Sequence, residues 1–242
     1  MQLYVGTSGW AYKAWQPDFY PPKLAQTKFL AFYAGKLNAV EVNYTFRHLL
    51  SEKTIANWLT QTPDSFRFAL KANQAITHIR RLKSGVEEPL GKFLSSIAPL
   101  EQAGRLGPVL FQLPPQMKAA PELLDTFLTM LPKVLRATFE FRHESWFAEE
   151  TYSVLRSHNA ALCVAESDDL CSPDVVTSNF AYYRLRRSSY SAEERQTLTA
   201  QVQKRSENGE VFAFYKHEEN PQSPLWAVEM LEAGRPRGVV GT

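Results

Sequence analysis

The chain has 242 residues, of which 44% are hydrophobic and 21% charged, and its formal net charge is +2. This length suits one large domain or two small ones, and the high apolar content with a low net charge excludes an intrinsically disordered chain. The small positive charge is too weak to favour either nucleic acid or a small anion as the partner. No segment reaches the roughly 20 apolar residues that a membrane-spanning helix needs.

The cysteines and the N-terminus bear on the cellular compartment. Cys163 and Cys171 are the two cysteines, too few for a disulfide framework, and Cys163 lies in the apolar run ALCVAE as a small buried residue. The N-terminus MQLYVGTSGW has neither the basic region nor the apolar core of a secretory signal peptide. We therefore predict a reduced, cytoplasmic protein with no membrane partner, and we expect a monomer.

Short apolar or alternating runs recur along the chain, and β-branched and aromatic residues dominate them, as is typical of strands. The predicted strands are 3–8, 39–45, 67–73, 108–114, 137–143, 161–167, 181–187 and 210–217. Segments with helical spacing or capping signals lie between or after these strands. The predicted helices are 23–37, 51–59, 88–104, 121–131, 148–159, 191–209 and 223–234.

This alternation predicts an α/β fold, a single (β/α)8 barrel of the TIM type that spans residues 1–242. The usual length of that barrel is about 250 residues, which leaves no room for a second domain. A doubly wound open sheet shows the same alternation. However, GTSGW after the first strand lacks the third glycine of the dinucleotide-binding fingerprint. The barrel is therefore favoured.

Polar residues concentrate in the C-terminal halves of the predicted strands. Alternate residues of a barrel strand face the lumen, and the apolar set of each strand is expected to face the helices. The predicted inward set is Glu41, Asn43, Lys71, Asn73, Gln112, Glu140, Arg142, Glu166, Asp168, Arg184, Arg186, Lys216 and Glu218. Because active sites of this fold lie at the C-terminal face, we predict a charged ring at the mouth of the barrel. Ion pairs that only fill the lumen are the structural alternative.

Sequence blocks in order along almost the whole chain carry a family resemblance. They are GTSGWAYKAWQPDFYP, VEVNYTFRHLLSEKTIANW, TPDSFRFALKANQAITHIRRLK, LGPVLFQLPP, FEFRHESWF and YYRLRRSSYS. In these blocks the sequence resembles the bacterial family called domain of unknown function 72. The resemblance implies a TIM-type barrel with no assigned activity. The chain has EVNYTFRH where that family often has EINxTFYR, and FYKHEEN where it often has YFNND. A ligand at these positions would therefore differ.

The favoured function is an enzyme, of hydrolase or isomerase-like chemistry, that acts on a small anionic substrate, phosphorylated or sugar-like. Glu41, Glu140 and Glu166 are the candidate acid–base carboxylates, although neighbouring cations would lower their pKa values and oppose an acid role. Lys71 and Lys216 are the candidate bases or Schiff-base nucleophiles, since an adjacent arginine would lower the pKa of either lysine. The candidate substrate-binding residues are Asn43, Gln112, Arg142, Arg184, Lys216, His143, Trp10 and Tyr12.

Nucleic acid is the alternative partner, with phosphodiester chemistry similar to that of endonuclease IV. The residues that would contact phosphates are Arg80, Arg81, Lys83 and Arg186, together with the tail GRPRG at 234–238. Tryptophans near the first strand would stack on bases, and binding would weaken steeply with salt. A barrel that binds a partner without catalysis is a further alternative.

A divalent metal site would have to come from the few acidic and histidine side chains near the mouth. Its ligands would be Glu140, His143, Glu166, Asp168 and His217. Cations such as Lys71 and Arg142 are predicted to share that volume and would oppose a bound metal. We therefore predict no metal and no cofactor.

Overall fold

Eight parallel strands close around a single lumen in the computed structural model, which describes residues 2–167, 171–216 and 221–234. The strands are β1 (Gln2–Thr7), β2 (Ala39–Val42), β3 (Arg67–Lys71), β4 (Leu106–Gln112), β5 (Ala137–Glu140), β6 (Ala161–Glu166), β7 (Phe180–Leu185) and β8 (Glu210–Tyr215). Their spatial order is β1-β8-β7-β6-β5-β4-β3-β2, so sequence neighbours lie side by side. This order is that of a TIM-type barrel and excludes the doubly wound sheet, whose strand order reverses. The predicted fold is confirmed.

The two ends of this strand order, β1 and β2, are joined by a tyrosine from the first helix. The Tyr33 hydroxyl accepts a hydrogen bond from the Thr7 N–H at 2.8 Å and donates one to the Ala39 carbonyl at 2.9 Å. Gly6 permits this close approach, because a Cβ at that position would lie 1.9 Å from the Ala39 carbonyl oxygen. A buried side chain thus satisfies backbone groups where the barrel closes.

Helices surround the barrel, and each overlaps the segment predicted for it, although the first is much shorter than the predicted 23–37. They are α1 (Phe29–Ala34), α2 (Glu52–Gln61), α3 (Glu87–Gln102), α4 (Pro121–Thr129), α5 (Glu149–Ser157), α6 (Ala192–Ser206) and α7 (Gln222–Ala233). Ser191 and Glu194 form the predicted capping box at the start of α6. In the part of the chain that the structure describes, no helix is long and apolar enough to cross a membrane.

The lower part of the lumen is an apolar layer that lies beneath the charged residues. Its buried members are Tyr4, Ala39, Ala69, Leu110, Ala161, Cys163, Ala165, Phe180, Tyr182, Phe212 and Phe214. Tyr4 stacks on Phe212 with ring centroids 4.6 Å apart. Since side chains alternate along a strand, this layer fixes which residues further along each strand also face the lumen.

Candidate functional site

A buried arginine joins two buried carboxylates above the apolar layer. Arg184 of β7 is 1% exposed, and its partners Glu41 of β2 and Glu140 of β5 are 0% and 1% exposed. Nη2 and Nε of Arg184 donate to the two oxygens of Glu41 at 2.7 and 2.8 Å, while Nη1 donates to Oε2 of Glu140. We call these three residues the Arg184 cluster. The two-pronged contact with Glu41 uses the fork geometry that suits arginine to carboxylates.

Glu41 receives two further hydrogen bonds, so its carboxylate is fully engaged. The Ser8 hydroxyl donates to Oε1 at 2.6 Å and the Tyr182 hydroxyl donates to Oε2 at 2.7 Å. Burial on its own raises the pKa of Glu41, but the charge of Arg184 and these hydrogen bonds outweigh that effect and hold the pKa below its usual value. Glu41 is therefore an anion at neutral pH and is poorly suited to donate a proton.

Glu140 is held in the same way by a residue of β4 and by a residue just beyond the end of β7. Gln112 Nε2 of β4 donates to Oε1 at 2.9 Å, and Arg186 Nη1 donates to the same oxygen at 3.1 Å. Burial again raises the pKa, but the charges of Arg184 and Arg186 lower it to about 2. The predicted inward placement of Glu140 and Gln112 is thus confirmed. Both carboxylates of the cluster are stabilised as anions, which argues against an acid role.

Lys71 lies next to this cluster at the end of β3, but its surroundings differ. Its Nζ donates to Gln112 Oε1 at 2.8 Å and lies 4.3 Å from the centroid of the Phe46 ring. Burial lowers the pKa of Lys71, the charges of Arg184 and Lys216 lower it further, and the two buried carboxylates offset only part of this. The resulting pKa is about 8. Lys71 therefore exists partly as a neutral amine near physiological pH.

The Gln112 side-chain amide links Lys71 to the Arg184 cluster. Its oxygen accepts from Lys71 and its nitrogen donates to Glu140, and these two partners determine the orientation of the amide. Lys71 is thereby fixed in position without a direct ion pair to a carboxylate among the described residues. The neutral amide of Gln112 orients the Lys71 amine. Unlike a carboxylate, it does not hold Lys71 in the charged form, so the neighbouring cations can lower the pKa.

Further cations lie at the rim of the mouth. Lys216 and Arg186 are partly buried and Arg142 is exposed. Burial lowers the pKa of His78, and the nearby charges of Lys71 and Arg142 lower it further. Because Arg142 acts on His78 in this way, it lies on the side of the mouth near β3. The partners of Glu140 are the β7 arginines and not Arg142, because β5 ends at Glu140 and Arg142 follows in an exposed loop.

The predicted inward position of Glu166 is wrong. Ala165 belongs to the lumen layer, so the next side chain on β6 points to the outer side of the barrel. There Glu166 pairs with Arg187 at 2.9 Å, and Arg187 also bonds Glu194 of α6 at 2.8 Å. Burial raises the pKa of Glu166. Its carboxyl lies on the opposite side of the strand from the Arg184 cluster, so the two cannot act on one substrate.

An aromatic cavity of about 400 Å³ lies beside the mouth, between the loops that follow β1 and β2. Its lining residues are Gly9, Trp10, Ala11, Tyr12, Val42, Asn43, Tyr44, Thr54 and Trp58, none of which is charged. Trp10 packs edge-to-face on Trp58 with ring centroids 5.4 Å apart. Trp10 and Tyr12 are thus close together, as the sequence suggested. Tyr44 and Trp58 were missed, because strand patterns do not reveal side chains that meet through a loop and a helix.

Asn43 is part of this cavity and not of the lumen. β2 ends at Val42, and Asn43 has helical backbone angles (φ −84°, ψ −15°) at the start of the turn Tyr44–Phe46. The strand alternation used to predict its inward position therefore stops one residue earlier. Its buried Oδ1 atom has no hydrogen-bond partner among the described residues. A buried acceptor of this kind is costly unless it is paired.

The remaining predicted residues have local roles or surface positions. His143 Nδ1 accepts from the Ser145 N–H at 3.2 Å and so caps the short turn after β5. Asn73, predicted to face the lumen, donates to the Thr45 carbonyl at 3.1 Å and accepts from the Ala75 N–H at 3.0 Å. The basic-loop residues Arg80, Arg81 and Lys83 are all exposed.

Some of the predictions fall on residues outside the described part of the chain: Asp168, His217, Glu218 and 235–238 of the basic tail. Within the described part, no three His, Cys, Asp or Glu side chains converge in a way that could hold a metal ion. The absence of a metal and of a cofactor stays a prediction.

Comparison with known proteins places these features in a family. The family model described as protein of unknown function DUF72 matches residues 4–239. The UPF0759 protein YunF of Bacillus subtilis is 27% identical over 184 residues, which cover 72% of this chain and 64% of that protein. The chain thus matches slightly less than two thirds of that relative's length.

Two solved structures agree with the barrel. A DUF72 family protein from Thermotoga maritima has a TM-score of 0.85 at 29% identity, covering 96% of this chain and 99% of that one. One from Enterococcus faecalis has a TM-score of 0.81 at 19% identity, covering 96% and 94%, and supports the fold alone. The family model and the shared barrel together show that this chain is a member of the DUF72 family.

Proposed function

We propose that the protein is an enzyme that acts on a small anionic substrate, phosphorylated or sugar-like, at the C-terminal mouth of the barrel. The surplus of positive charge among the described side chains there carries this proposal. The described side chains at the mouth include two carboxylates, both bound by Arg184. They also include the cations Lys71, Arg142, Arg184, Arg186 and Lys216. Such an excess of donors suits a phosphate or carboxylate group.

Each part of the mouth has a distinct role in this proposal. Arg142, Arg186 and Lys216 hold the anionic group. Lys71 is the proton-transfer group, because a pKa of about 8 lies near the pH at which a general base works best. The Arg184 cluster does not transfer protons. It keeps Gln112, and through it Lys71, in a fixed position.

The aromatic cavity would receive the remainder of the substrate. Pockets that bind small molecules are mostly apolar, with a few polar groups that fix the orientation of the ligand. The uncharged, largely aromatic lining around Trp10 and Tyr12 fits the ring of a sugar-like substrate. An anionic group at the mouth and a ring in the cavity together describe the substrate class.

Native mass spectrometry of freshly purified protein, with metal analysis of the same sample, tests this function. We expect a retained phosphorylated or carboxylated small molecule, which the double variant Arg142→Ala/Lys216→Ala no longer retains. Lys133→Ala, which removes an exposed charge in the loop before β5, is the control and should retain the molecule. Equal retention in all three proteins would contradict an anion site at the mouth. Retention without turnover of the identified molecule would support the non-catalytic binding protein.

A nucleic acid is the second candidate ligand, and the exposed basic loop favours it. Arg80, Arg81 and Lys83 follow shortly after His78 in the chain. The charges of Lys71 and Arg142 lower the pKa of His78. The loop therefore lies close to the positive mouth and extends it outward. If phosphates bind there, the affinity for a single-stranded oligonucleotide will fall steeply with salt. Replacing all three loop cations with alanine will then flatten that dependence. Binding that is absent or independent of salt would exclude this candidate.

A further inference from the structure

We propose that Lys71 is a covalent nucleophile, and that the substrate carries an aldehyde or ketone carbonyl beside its anionic group, as a 2-oxo acid does. This inference rests on the proposed function, because it uses the same mouth to hold the anion. It goes further in naming the bond that forms and the chemical class of the substrate.

The contacts of Lys71 are those of a reactive amine and not of a structural ion pair. Among the described residues, Lys71 Nζ contacts the neutral amide of Gln112, at 2.8 Å, and the ring of Phe46, whose centroid is 4.3 Å away. A lysine that bonds a carboxylate is kept in the ammonium form, but the two buried carboxylates here are bound by Arg184. The amide of Gln112 orients Nζ without neutralising a charge.

Burial and the neighbouring cations also favour the neutral, reactive form of the Lys71 amine. The Phe46 ring attracts an ammonium group, but burial and the nearby charges of Arg184 and Lys216 oppose it, and the pKa falls to about 8. A lysine made nucleophilic by desolvation and by a second cation is a recognised arrangement for imine formation with carbonyl substrates. The same cations attract the anionic group and so bring the carbonyl to the amine.

The reaction balances without an oxidant or a reductant. The lone pair of the neutral Lys71 amine attacks the carbonyl carbon, and the π electrons of the C=O bond move to the oxygen. The nitrogen loses a proton and the oxygen gains one, which gives a carbinolamine. The hydroxyl then takes a proton from solvent and leaves as water, while the nitrogen lone pair forms the C=N bond. The product is a protonated imine on Lys71 and one molecule of water.

Reductive trapping with glyoxylate, a small anionic aldehyde, tests this inference. The protein is incubated with glyoxylate and cyanoborohydride near pH 8, and the modified lysines are identified by peptide mass mapping. At that pH about half of Lys71 is neutral, against less than about 1% of an ordinary lysine. We therefore expect Lys71 to react at least about tenfold faster than exposed lysines such as Lys36 and Lys92.

Two variants and a second probe make the result specific. Lys71→Arg keeps the charge and should abolish this fast modification while leaving the slow surface reaction. Arg142→Ala should slow the reaction of Lys71 with glyoxylate, but not its reaction with propionaldehyde, which has no charge for the mouth to bind; Lys216 is kept, because its charge helps to lower the pKa of Lys71. Inorganic phosphate should protect Lys71 from glyoxylate in the native protein.

The outcomes separate the covalent role from the proposed function. Modification spread over the lysines according to their exposure, with Lys71 not ahead, would overturn the covalent role. If phosphate or glyoxylate still bound at the mouth in that case, the anion-binding enzyme would survive with Lys71 as a base only. If neither anion bound and Lys71 did not react, the proposed function would fail as well.

Discussion

Arg184 and Lys71 are cations of one lumen, yet their surroundings give them opposite properties. Arg184 is 1% exposed and donates through three nitrogens to two carboxylates. Burial tends to lower its pKa, but the carboxylates raise it well above the usual value. Lys71 is partly exposed, donates to a neutral amide and has a pKa lowered to about 8. The comparison teaches that a charge in a barrel lumen is structural or reactive according to its partners.

Replacing Arg184 with methionine is expected to have the largest effect. The change leaves Glu41 and Glu140 as buried, uncompensated charges, and breaking such a pair costs about 3–5 kcal/mol. Urea unfolding followed by circular dichroism measures the loss. Arg186→Met is the comparison variant, since Glu140 keeps Arg184, and it should cost clearly less than Arg184→Met.

An equal, small loss in both variants would contradict the structural role of the Arg184 cluster. If Arg184→Met does not fold, Tyr182→Phe provides the milder test, because it removes a single hydrogen bond from Glu41. A loss of about 1–2 kcal/mol is expected for that variant.

Acid should weaken the Arg184 cluster in a defined pH window. The pKa of Glu140 is about 2 in the folded protein, against about 4.3 for an ordinary glutamate in the unfolded chain. Its stabilising contribution is therefore complete above about pH 4.3 and is lost as the pH falls towards 2. Between pH 6 and 2 the wild type should lose on the order of 2 kcal/mol more unfolding free energy than Glu140→Gln. Parallel pH profiles of the two proteins would show that Glu140 is not held as an anion.

Lys71→Met tests the opposite expectation, a small effect on stability and a large effect on turnover. Lys71 makes no ion pair among the described residues, so its removal should change the unfolding free energy by less than about 1 kcal/mol. Turnover should nevertheless fall at least about 100-fold if Lys71 transfers a proton in the reaction. The wild-type rate should rise with pH to a midpoint near 8, because the neutral amine is the working form. A large stability loss with unchanged turnover would assign Lys71 to the scaffold.

The smallest effect on stability is expected for Arg142→Ala at the exposed rim. The free energy of unfolding should stay within about 0.5 kcal/mol of the wild type, while the affinity for a phosphorylated ligand should fall about five- to tenfold. Isothermal titration calorimetry measures the affinity, with Lys133→Ala as the control for loss of one charge. An unchanged affinity would remove Arg142 from the anion site.

Strand alternation predicted most of the lumen correctly. Lys71 follows Ala69 and Gln112 follows Leu110 on the inner side of their strands, as the pattern requires. It failed for Glu166, because small residues such as Ala165 face the lumen on β6. The large rings from β1, β7 and β8 fill that space and leave room for small side chains only. The prediction assigned the apolar residues of each strand to the side that faces the helices. It could therefore not identify a strand whose small apolar residues face the lumen.

Partners and loop positions could not be predicted from the sequence. Glu140 and Arg142 are close along the chain, yet Glu140 bonds Arg184 and Arg186 because β7 places those arginines across the lumen. The lowered pKa of Lys71 likewise depends on distances between strands. Alternation also gave no guide beyond the last residue of a strand, where Asn43 turns into the aromatic cavity.

The most direct measurement of the central claim is an NMR titration of the Lys71 side chain in protein labelled with ¹³C and ¹⁵N at lysine. The signal is assigned by its absence in Lys71→Arg. The environment described here predicts a titration midpoint near pH 8, with the amine becoming charged as the pH falls through that value. A midpoint near the ordinary lysine value of about 10.4 would contradict the distinction between a structural Arg184 and a reactive Lys71.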